Sequence, residues 1–121
     1  MAYSTCDVVR AMEADSGIAM RDLRVDGGAA DNDWLMSFQA GMLGIPVRRP
    51  AMVQMTARGA AGLAGIATGF WATPEDFAAA AANETEFEPL MAQEERERNM
   101  AGWRRAVAAT RAWANAAEGD R

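Results

Sequence analysis

The chain has 121 residues, half of them apolar, which is enough for one ordinary domain with a hydrophobic core of its own. Its formal net charge is −5, and its twelve basic residues are all arginines, spread along the chain without forming a basic stripe. The sequence therefore argues against nucleic acid and against anionic membrane surfaces as partners.

Two residue types that often perform chemistry are missing, because the chain has no lysine and no histidine. This excludes a P-loop lysine, a Schiff base, and an imidazole acting as a base or a metal ligand. The lone Cys6 cannot form an internal disulfide or a thiolate zinc site, which is typical of a reducing compartment. No charged region followed by an apolar run begins the chain, so we predict no secretion signal and a cytoplasmic protein.

Apolar periodicity and turn residues predict two strands and five helices. In chain order, the predicted elements are a helix at 4–16, a strand at 23–25, a helix from about 31 to 43, a strand at 45–48, a helix at 56–68, a helix begun by Thr73, and a long helix from about 92 to 117. The last two helices are separated by a predicted connector at 83–89, with Phe87 as its anchor. Gly17 and Gly44 are predicted to end the first two helices.

Helical spacing also predicts which side chains are buried. In the first helix, Val8, Val9 and Met12 turn to one side. The predicted buried face of the second helix consists of Trp34, Leu35, Phe38, Met42 and Leu43. In the last helix, the corresponding positions are Met100, Trp103, Val107, Thr110 and Ala114.

The helix at 56–68 is rich in alanine and glycine, so it is expected to pack closely through its backbone. Arg58 interrupts its apolar run, which is also too short to cross a membrane. A capping pattern follows, with Thr73 as N-cap and Pro74 at the first helical position, and it leads into an alanine run at 78–82.

The stretch at 23–36 combines a strand, a glycine turn and a helix start. Gly27 and Gly28 permit backbone angles and close approaches that a Cβ would block. The first amides of the following helix have no intrahelical partner, so an anion is the natural ligand of such a place. A Gly-Gly pair between a strand and a helix also occurs as a simple turn, and both interpretations stay open at this point.

Three aspartates flank this turn. Asp26 follows the strand, where a carboxylate can face a Mg-nucleotide, but we favour a turn residue that bonds the amides of Gly27 and Gly28. Asp31 and Asp33 suggest a metal site, yet aspartates at a helix start are more often caps that suit the helix dipole. We therefore assign no metal ligand.

Four blocks of sequence resemble, in the same order, the C-terminal part of the glycerol kinases. This family belongs to the FGGY carbohydrate kinases, within the superfamily of sugar kinases, Hsp70 and actin. The blocks are AYSTCDVVRAMEADSGI at 2–18, LRVDGGAADNDWLMSFQAGMLGIPVRRP at 23–50, TARGAAGLAGIATGFW at 56–71, and FEPLMAQEERERNMAGWRRAVAATRAW at 87–113. The resemblance covers nearly the whole chain, although a glycerol kinase is several times longer.

The resemblance implies an α/β, helix-rich fold, the C-terminal half of an actin-like (RNase H-like) ATPase domain with an incomplete sheet. Residues 1–121 are expected to form a single segment without a second domain. By resemblance, Gly28 places its backbone against a nucleotide phosphate, and the Asn32 side chain reaches the adenosine. Gly27 and Ala29 complete the small-residue turn. An N-cap is the alternative role for Asn32.

Some positions depart from the family pattern. Gly41 stands where the family usually has Asp, and this glycine is expected to weaken its helix by up to about 1 kcal/mol relative to alanine. Gln54, Arg58 and Gly62 also differ from the family, which leaves the packing of the small-residue helix open. A regulatory phosphocarrier protein of sugar transport, which docks on some family members, is not carried over to this chain.

The resemblance implies ATP or ADP with Mg²⁺ as ligand, for transfer of a phosphoryl group to glycerol by the whole enzyme. The catalytic Asp and the glycerol site of the family fall outside the matched blocks, so no catalytic residue is assigned here. Three hypotheses follow: an inactive nucleotide-binding segment, a non-catalytic self-associating module, and, least favoured, an independent small kinase. Self-association is expected because a two-stranded parallel sheet leaves its edges unsatisfied.

Overall fold

A computed structural model describes residues 1–80 and 83–119, with side chains as far as 116. The helices are α1 (Ala2–Ser16), α2 (Asp33–Leu43), α3 (Met55–Ala67), α4 (Pro74–Ala79) and α5 (Gln93–Gly119). The strands are β1 (Leu23–Arg24), β2 (Val47–Pro50) and β3 (Glu84–Phe87), and a short 3-10 turn covers Gly28–Asp31. Gly17 and Gly44 end α1 and α2 in left-handed conformations, as predicted.

The three strands form one small sheet in the order β1-β2-β3. β1 and β2 are parallel, with Leu23 opposite Val47, and α2 lies in the crossover connection that a parallel pair needs. β3 runs antiparallel to β2 and places Phe87 opposite Val47. The prediction of a connector at 83–89 was wrong here, because backbone pairing with β2 turns its first residues into a strand. Phe87 is nevertheless the buried anchor that the sequence predicted.

Helix α2 lies between two buried clusters. On one side, Met36 and Ala40 pack on the row of apolar side chains that the sheet presents, and this cluster contains Ala30, Met36, Ala40, Val47 and Phe87. On the other side, Met42 packs with Cys6 of α1 and Met100 of α5. The α2 helix is therefore the element through which α1 and α5 are held to the sheet.

Gly41 allows one of these contacts to be close. A Cβ built at Gly41 would lie 2.9 Å from the Cβ of Met91, just before α5. The helix-weakening glycine predicted from the sequence thus provides room for the chain that leads into α5.

Four aromatic rings from three helices form what we call the aromatic ladder. Trp34 stacks on Phe38 with centroids 5.2 Å apart, Phe38 meets Tyr3 edge-on at 5.9 Å, and Tyr3 stacks on Trp103 at 5.7 Å. The far end is fixed because Trp103 Nε1 donates a hydrogen bond of 2.6 Å to Asp7 Oδ2. The ladder ties α1, α2 and α5 together on the side away from the sheet.

Two predictions of burial were wrong in this region. Trp34 is 70% exposed, because the buried face of α2 runs through Met36, Ala40 and Met42 instead. In α1, Val9 is buried, whereas Val8 and Met12 are exposed, because the face that meets α2 contains Ala2, Cys6 and Val9. Periodicity identified the apolar residues, but the position of the neighbouring helix decides which of them are covered.

The helices α3 and α4, with the residues between them, form a unit that we call the hairpin. Its close contacts are internal, since the Phe77 ring lies on Gly62 and the Trp71 ring lies on Gly65. Thr73 is the N-cap of α4, as the sequence predicted, and it also forms a capping box: its hydroxyl accepts from Asp76 N, and the Asp76 carboxylate accepts from Thr73 N. The predicted alanine run extends to Ala81 and Ala82, which lie outside the described residues.

Helix α5 packs on the rest of the chain through its first half, and residues 108–116 are exposed. Of the positions predicted to be buried, Met100 is buried and Trp103 and Val107 are partly covered, while Thr110 and Ala114 are exposed. None of the helices in the described part of the chain is long and apolar enough to cross a membrane.

Candidate functional site

Two backbone hydrogen bonds fix the start of the glycine turn, where the chain leaves β1. Beyond β1, the amide of Val25 donates to Arg48 O at 3.0 Å, and the amide of Gly27 donates to Val53 O at 2.9 Å. Gly27 has a φ of 82°, which is unfavourable for any residue with a Cβ. The chain therefore leaves the sheet at Gly27 with a fixed direction.

The turn closes on itself and leaves two amides available. Ala30 N donates to Gly27 O at 3.0 Å, and Asn32 N donates to Ala29 O at 3.4 Å. Within residues 1–80 and 83–119, the amides of Gly28 and Ala29 take part in no hydrogen bond. Both residues are exposed, and a Cβ built at Gly28 would meet no heavy atom within 4 Å. Neighbouring amides without a protein acceptor on an exposed turn are suited to an anion.

Asn32 is the N-cap of α2. Its Oδ1 accepts a hydrogen bond of 2.9 Å from Leu35 N, so the alternative role considered for it is present in the structure. The side chain is exposed, and its Nδ2 still has two hydrogen atoms to donate. A cap and a ligand contact through different atoms are therefore compatible, and the ligand role stays a prediction.

Arg49 completes the turn from the neighbouring strand, and the sequence analysis did not identify it. Its Nη1 donates to Ala30 O at 2.7 Å and to Asp33 Oδ1 at 2.7 Å. The guanidinium also lies over the Phe87 ring, with Cζ 5.1 Å from the ring centroid. No local pattern could have indicated this role, because the residues it contacts lie at least 16 positions away along the chain.

The aspartates beside the turn differ from the prediction as turn bonds and caps, although Asp33 lies in the first turn of α2, where it suits the helix dipole. Asp26 does not bond the amide of Gly27, because that amide donates to Val53 O. The N-cap of α2 is Asn32, whereas Asp33 is the first helical residue and pairs with Arg49. Among the described residues, no group of three His, Cys, Asp or Glu side chains is placed to hold a metal ion.

A groove of about 650 Å³ adjoins the turn between β1 and the hairpin. Asp26 lines it together with Arg24, Arg58 and Glu84. These four side chains give the groove charges of both signs, so it does not favour an anion in the way that the free amides of the turn do.

Comparison with known proteins identifies the relatives of this chain. Residues 1–68 match the C-terminal domain of the FGGY family of carbohydrate kinases. A glycerol kinase of Geobacillus sp. (strain WCH70) is 53% identical over 113 residues, which make up 93% of this chain and 23% of that protein. A glycerol kinase of Symbiobacterium thermophilum is 54% identical over 114 residues, or 94% of this chain and 23% of that protein.

The structure is similar to a crystal structure of Plasmodium falciparum glycerol kinase with ADP. The TM-score is 0.72 at 25% sequence identity, and the match covers 90% of this chain and 22% of that one. The chain thus spans less than a quarter of the length of the relatives that it matches. The likeness confirms the predicted fold class, a helix-rich part of an actin-like ATPase domain with a small sheet.

Proposed function

The chain belongs to the FGGY family of carbohydrate kinases, whose C-terminal domain it matches, and we propose that it forms the adenosine side of an ATP site in a glycerol kinase-like enzyme. One observation is central to this proposal. The amides of Gly28 and Ala29 have no acceptor within the described residues, and both residues are exposed, where the family resemblance places the Gly28 backbone against a nucleotide phosphate.

Each residue of the turn has a role in this proposal. Gly27 provides the positive φ that directs the chain away from the sheet. Gly28 and Ala29 donate their amides to phosphate oxygens, and the absent Cβ of Gly28 permits the close approach. Asn32 donates Nδ2 to the adenosine while its Oδ1 continues to cap α2.

The same proposal includes a magnesium ion that binds together with the nucleotide phosphates. Because the described residues contain no cluster of three carboxylate, thiol or imidazole groups, we expect the ion to be bound mainly through the nucleotide and water. The chain's own contribution is to bind and orient ATP or ADP.

The proposed reaction of the whole enzyme is ATP-dependent phosphorylation of glycerol to glycerol 3-phosphate. Such a transfer needs an acceptor hydroxyl and a carboxylate that orients it, and no residue of this chain is assigned to either task. We therefore expect the 121-residue chain to consume no ATP in the presence of glycerol. Glycerol-dependent ATP consumption by the purified chain would instead favour an independent small kinase.

Calorimetric titration with Mg-ADP tests the proposed nucleotide site. We expect saturable binding by the unmodified chain and loss of binding in Gly28→Val, whose side chain would occupy the space needed by the phosphate. Gly59→Val is the matched control, since Gly59 is an exposed glycine of α3 whose added Cβ would also meet nothing within 4 Å. Absence of binding at millimolar nucleotide, or equal loss in both variants, would contradict the proposal.

Self-association is a second candidate function, as expected for a non-catalytic module. It is favoured by the strand order, because β1 and β3 each pair with β2 alone and so leave one edge free in the described sheet. Large apolar side chains are also exposed, among them Leu63, Phe70 and Trp113. Sedimentation equilibrium at several loading concentrations tests it, and a single monomeric species at the highest concentration would contradict it.

A further inference from the structure

Arg49 lies outside the residues that resemblance assigns to the nucleotide, yet its side chain contacts the residues on both sides of the Asn32 region, Ala30 and Asp33. We propose that Arg49 is a positioning residue that sets the affinity of the turn for a nucleotide phosphate. This inference rests on the proposed function, and it concerns how the free amides of Gly28 and Ala29 are kept in a binding geometry.

The contacts of Arg49 fix two points of the turn. Its Nη1 holds Ala30 O, before Asn32, and Asp33 Oδ1, after it, both at 2.7 Å. Ala30 follows the two free amides directly, and its own amide closes the turn on Gly27 O at 3.0 Å, so a bond to its carbonyl restrains the residue on which the turn closes. The guanidinium thereby ties the turn and the start of α2 to strand β2.

The environment of Arg49 makes these bonds effective. Its side chain is only 16% exposed, so the bond to the Ala30 carbonyl is protected from competing water. The Asp33 side chain is 74% exposed, and an ion pair of that kind contributes little by itself. The carbonyl contact and the position of the guanidinium over the Phe87 ring are therefore the main constraints.

An arginine is required at this position for a physical reason. The planar guanidinium can lie on the Phe87 ring while one nitrogen donates two bonds in fixed directions. A lysine would keep the charge, but its ammonium is strongly hydrated and has no plane to stack. The turn would then leave its binding conformation more often, and the apparent affinity would fall with the fraction that remains competent.

Arg48 provides a matched control on the same strand. Its side chain points to the opposite face of the sheet and pairs with Glu86 Oε2 at 2.9 Å. Replacing Arg48 removes the same charge from the adjacent position without altering a contact of the turn.

The experiment compares Arg49→Met, Arg49→Lys and Arg48→Met by two measurements. Amide hydrogen exchange without ligand reports the opening of the turn through the amides of Ala30 and Asn32. Calorimetric titration with Mg-ADP, at a temperature where circular dichroism shows every variant folded, reports the affinity. We expect faster exchange at both amides and affinity weakened by about tenfold or more in both Arg49 variants, with Arg48→Met close to the unmodified chain.

The outcomes separate this inference from the proposed function. If the unmodified chain binds Mg-ADP and Arg49→Met binds equally well, Arg49 is not a positioning residue. Full affinity in Arg49→Lys with loss in Arg49→Met would attribute the effect to charge and overturn the positioning role. If the unmodified chain does not bind, the proposed function fails and the affinity role of Arg49 fails with it. Unchanged exchange in Arg49→Met overturns the inference whether or not nucleotide binds.

Discussion

Two glycines of the turn, Gly27 and Gly28, and two glycines of the hairpin, Gly62 and Gly65, have opposite surroundings. A Cβ added at Gly27 or Gly28 would meet no heavy atom within 4 Å, whereas one added at Gly62 would lie 2.5 Å from the Phe77 ring. At Gly65 the corresponding distance to Trp71 is 2.6 Å. The first pair leaves its Cβ positions open, and the second pair is already covered by aromatic rings. Small residues in a sequence therefore indicate close approach without showing what approaches.

The largest difference is expected between the sheet cluster, on which the turn rests through Arg49, and the hairpin, in their contribution to the free energy of unfolding. Phe87→Ala should cost about 3–5 kcal/mol, because it removes a buried ring from the sheet cluster and the surface on which Arg49 rests. Leu63→Ala in the hairpin should change it by less than about 0.5 kcal/mol, since Leu63 is 72% exposed. Urea unfolding followed by circular dichroism measures both, and equal costs would contradict the distinction.

A smaller effect is expected when valine is placed at one glycine of each region. Gly62→Val should destabilise the chain by about 1–3 kcal/mol, because the new side chain displaces the Phe77 ring. Gly28→Val should change stability by only about 0.5 kcal/mol, although it is designed to abolish nucleotide binding. Thermal unfolding of the two variants checks this contrast, and a destabilised Gly28→Val would show that the turn is less open than described.

Next in size is the removal of the cap that begins α4. Thr73→Ala should cost about 1 kcal/mol, because Asp76 N loses its acceptor and the capping box is broken. The loss should be confined to the hairpin, so amide exchange should accelerate in α4 and stay unchanged in α2. Accelerated exchange in both helices would show that the hairpin and the α2 core open together.

The smallest expected effect is a pH dependence of stability, caused by Cys6 in the cluster that α2 forms with α1 and α5. Burial raises the pKa of the Cys6 thiol above its usual value, while the charge of Arg10 acts in the opposite direction. The folded chain therefore favours the protonated thiol. The resulting stabilisation of the folded state is complete below the unfolded-state pKa of about 8.5. It is lost as the pH rises through the folded-state pKa. Cys6→Ala should show a weaker decline of thermal stability above this pH than the unmodified chain.

Local signals predicted the helices well because their determinants are close in sequence. Thr73 and Asp76 form their cap within one turn, and Gly17 and Gly44 end helices at the residues indicated. Glu84–Phe87 was not predicted as a strand, since its four residues contain one apolar anchor and owe their conformation to pairing with β2. Long-range pairing of this kind leaves little trace in a short segment.

The candidate site, too, was predicted only where its residues are close together in the sequence. The resemblance indicated Gly27, Gly28, Ala29 and Asn32, and the structure brings these residues together in one continuous turn because they are adjacent in sequence. Arg49 was missed, because its role depends on the register that places β2 beside β1 and β3. Trp34 was assigned to the core because helical spacing gives the direction of a side chain but not the presence of a neighbour.

The aromatic ladder makes the packing of α1, α2 and α5 observable by circular dichroism. Tyr3 and Trp103 stack with their planes 13° apart, and Trp34 and Phe38 stack with theirs 6° apart, so pairs of chromophores are held in fixed chiral arrangements. Their signal in near-ultraviolet circular dichroism depends on the docking of α1, α2 and α5, whereas the far-ultraviolet signal depends mainly on helix content. A state that kept its helices but lost this packing would be recognised from the disappearance of the near-ultraviolet bands.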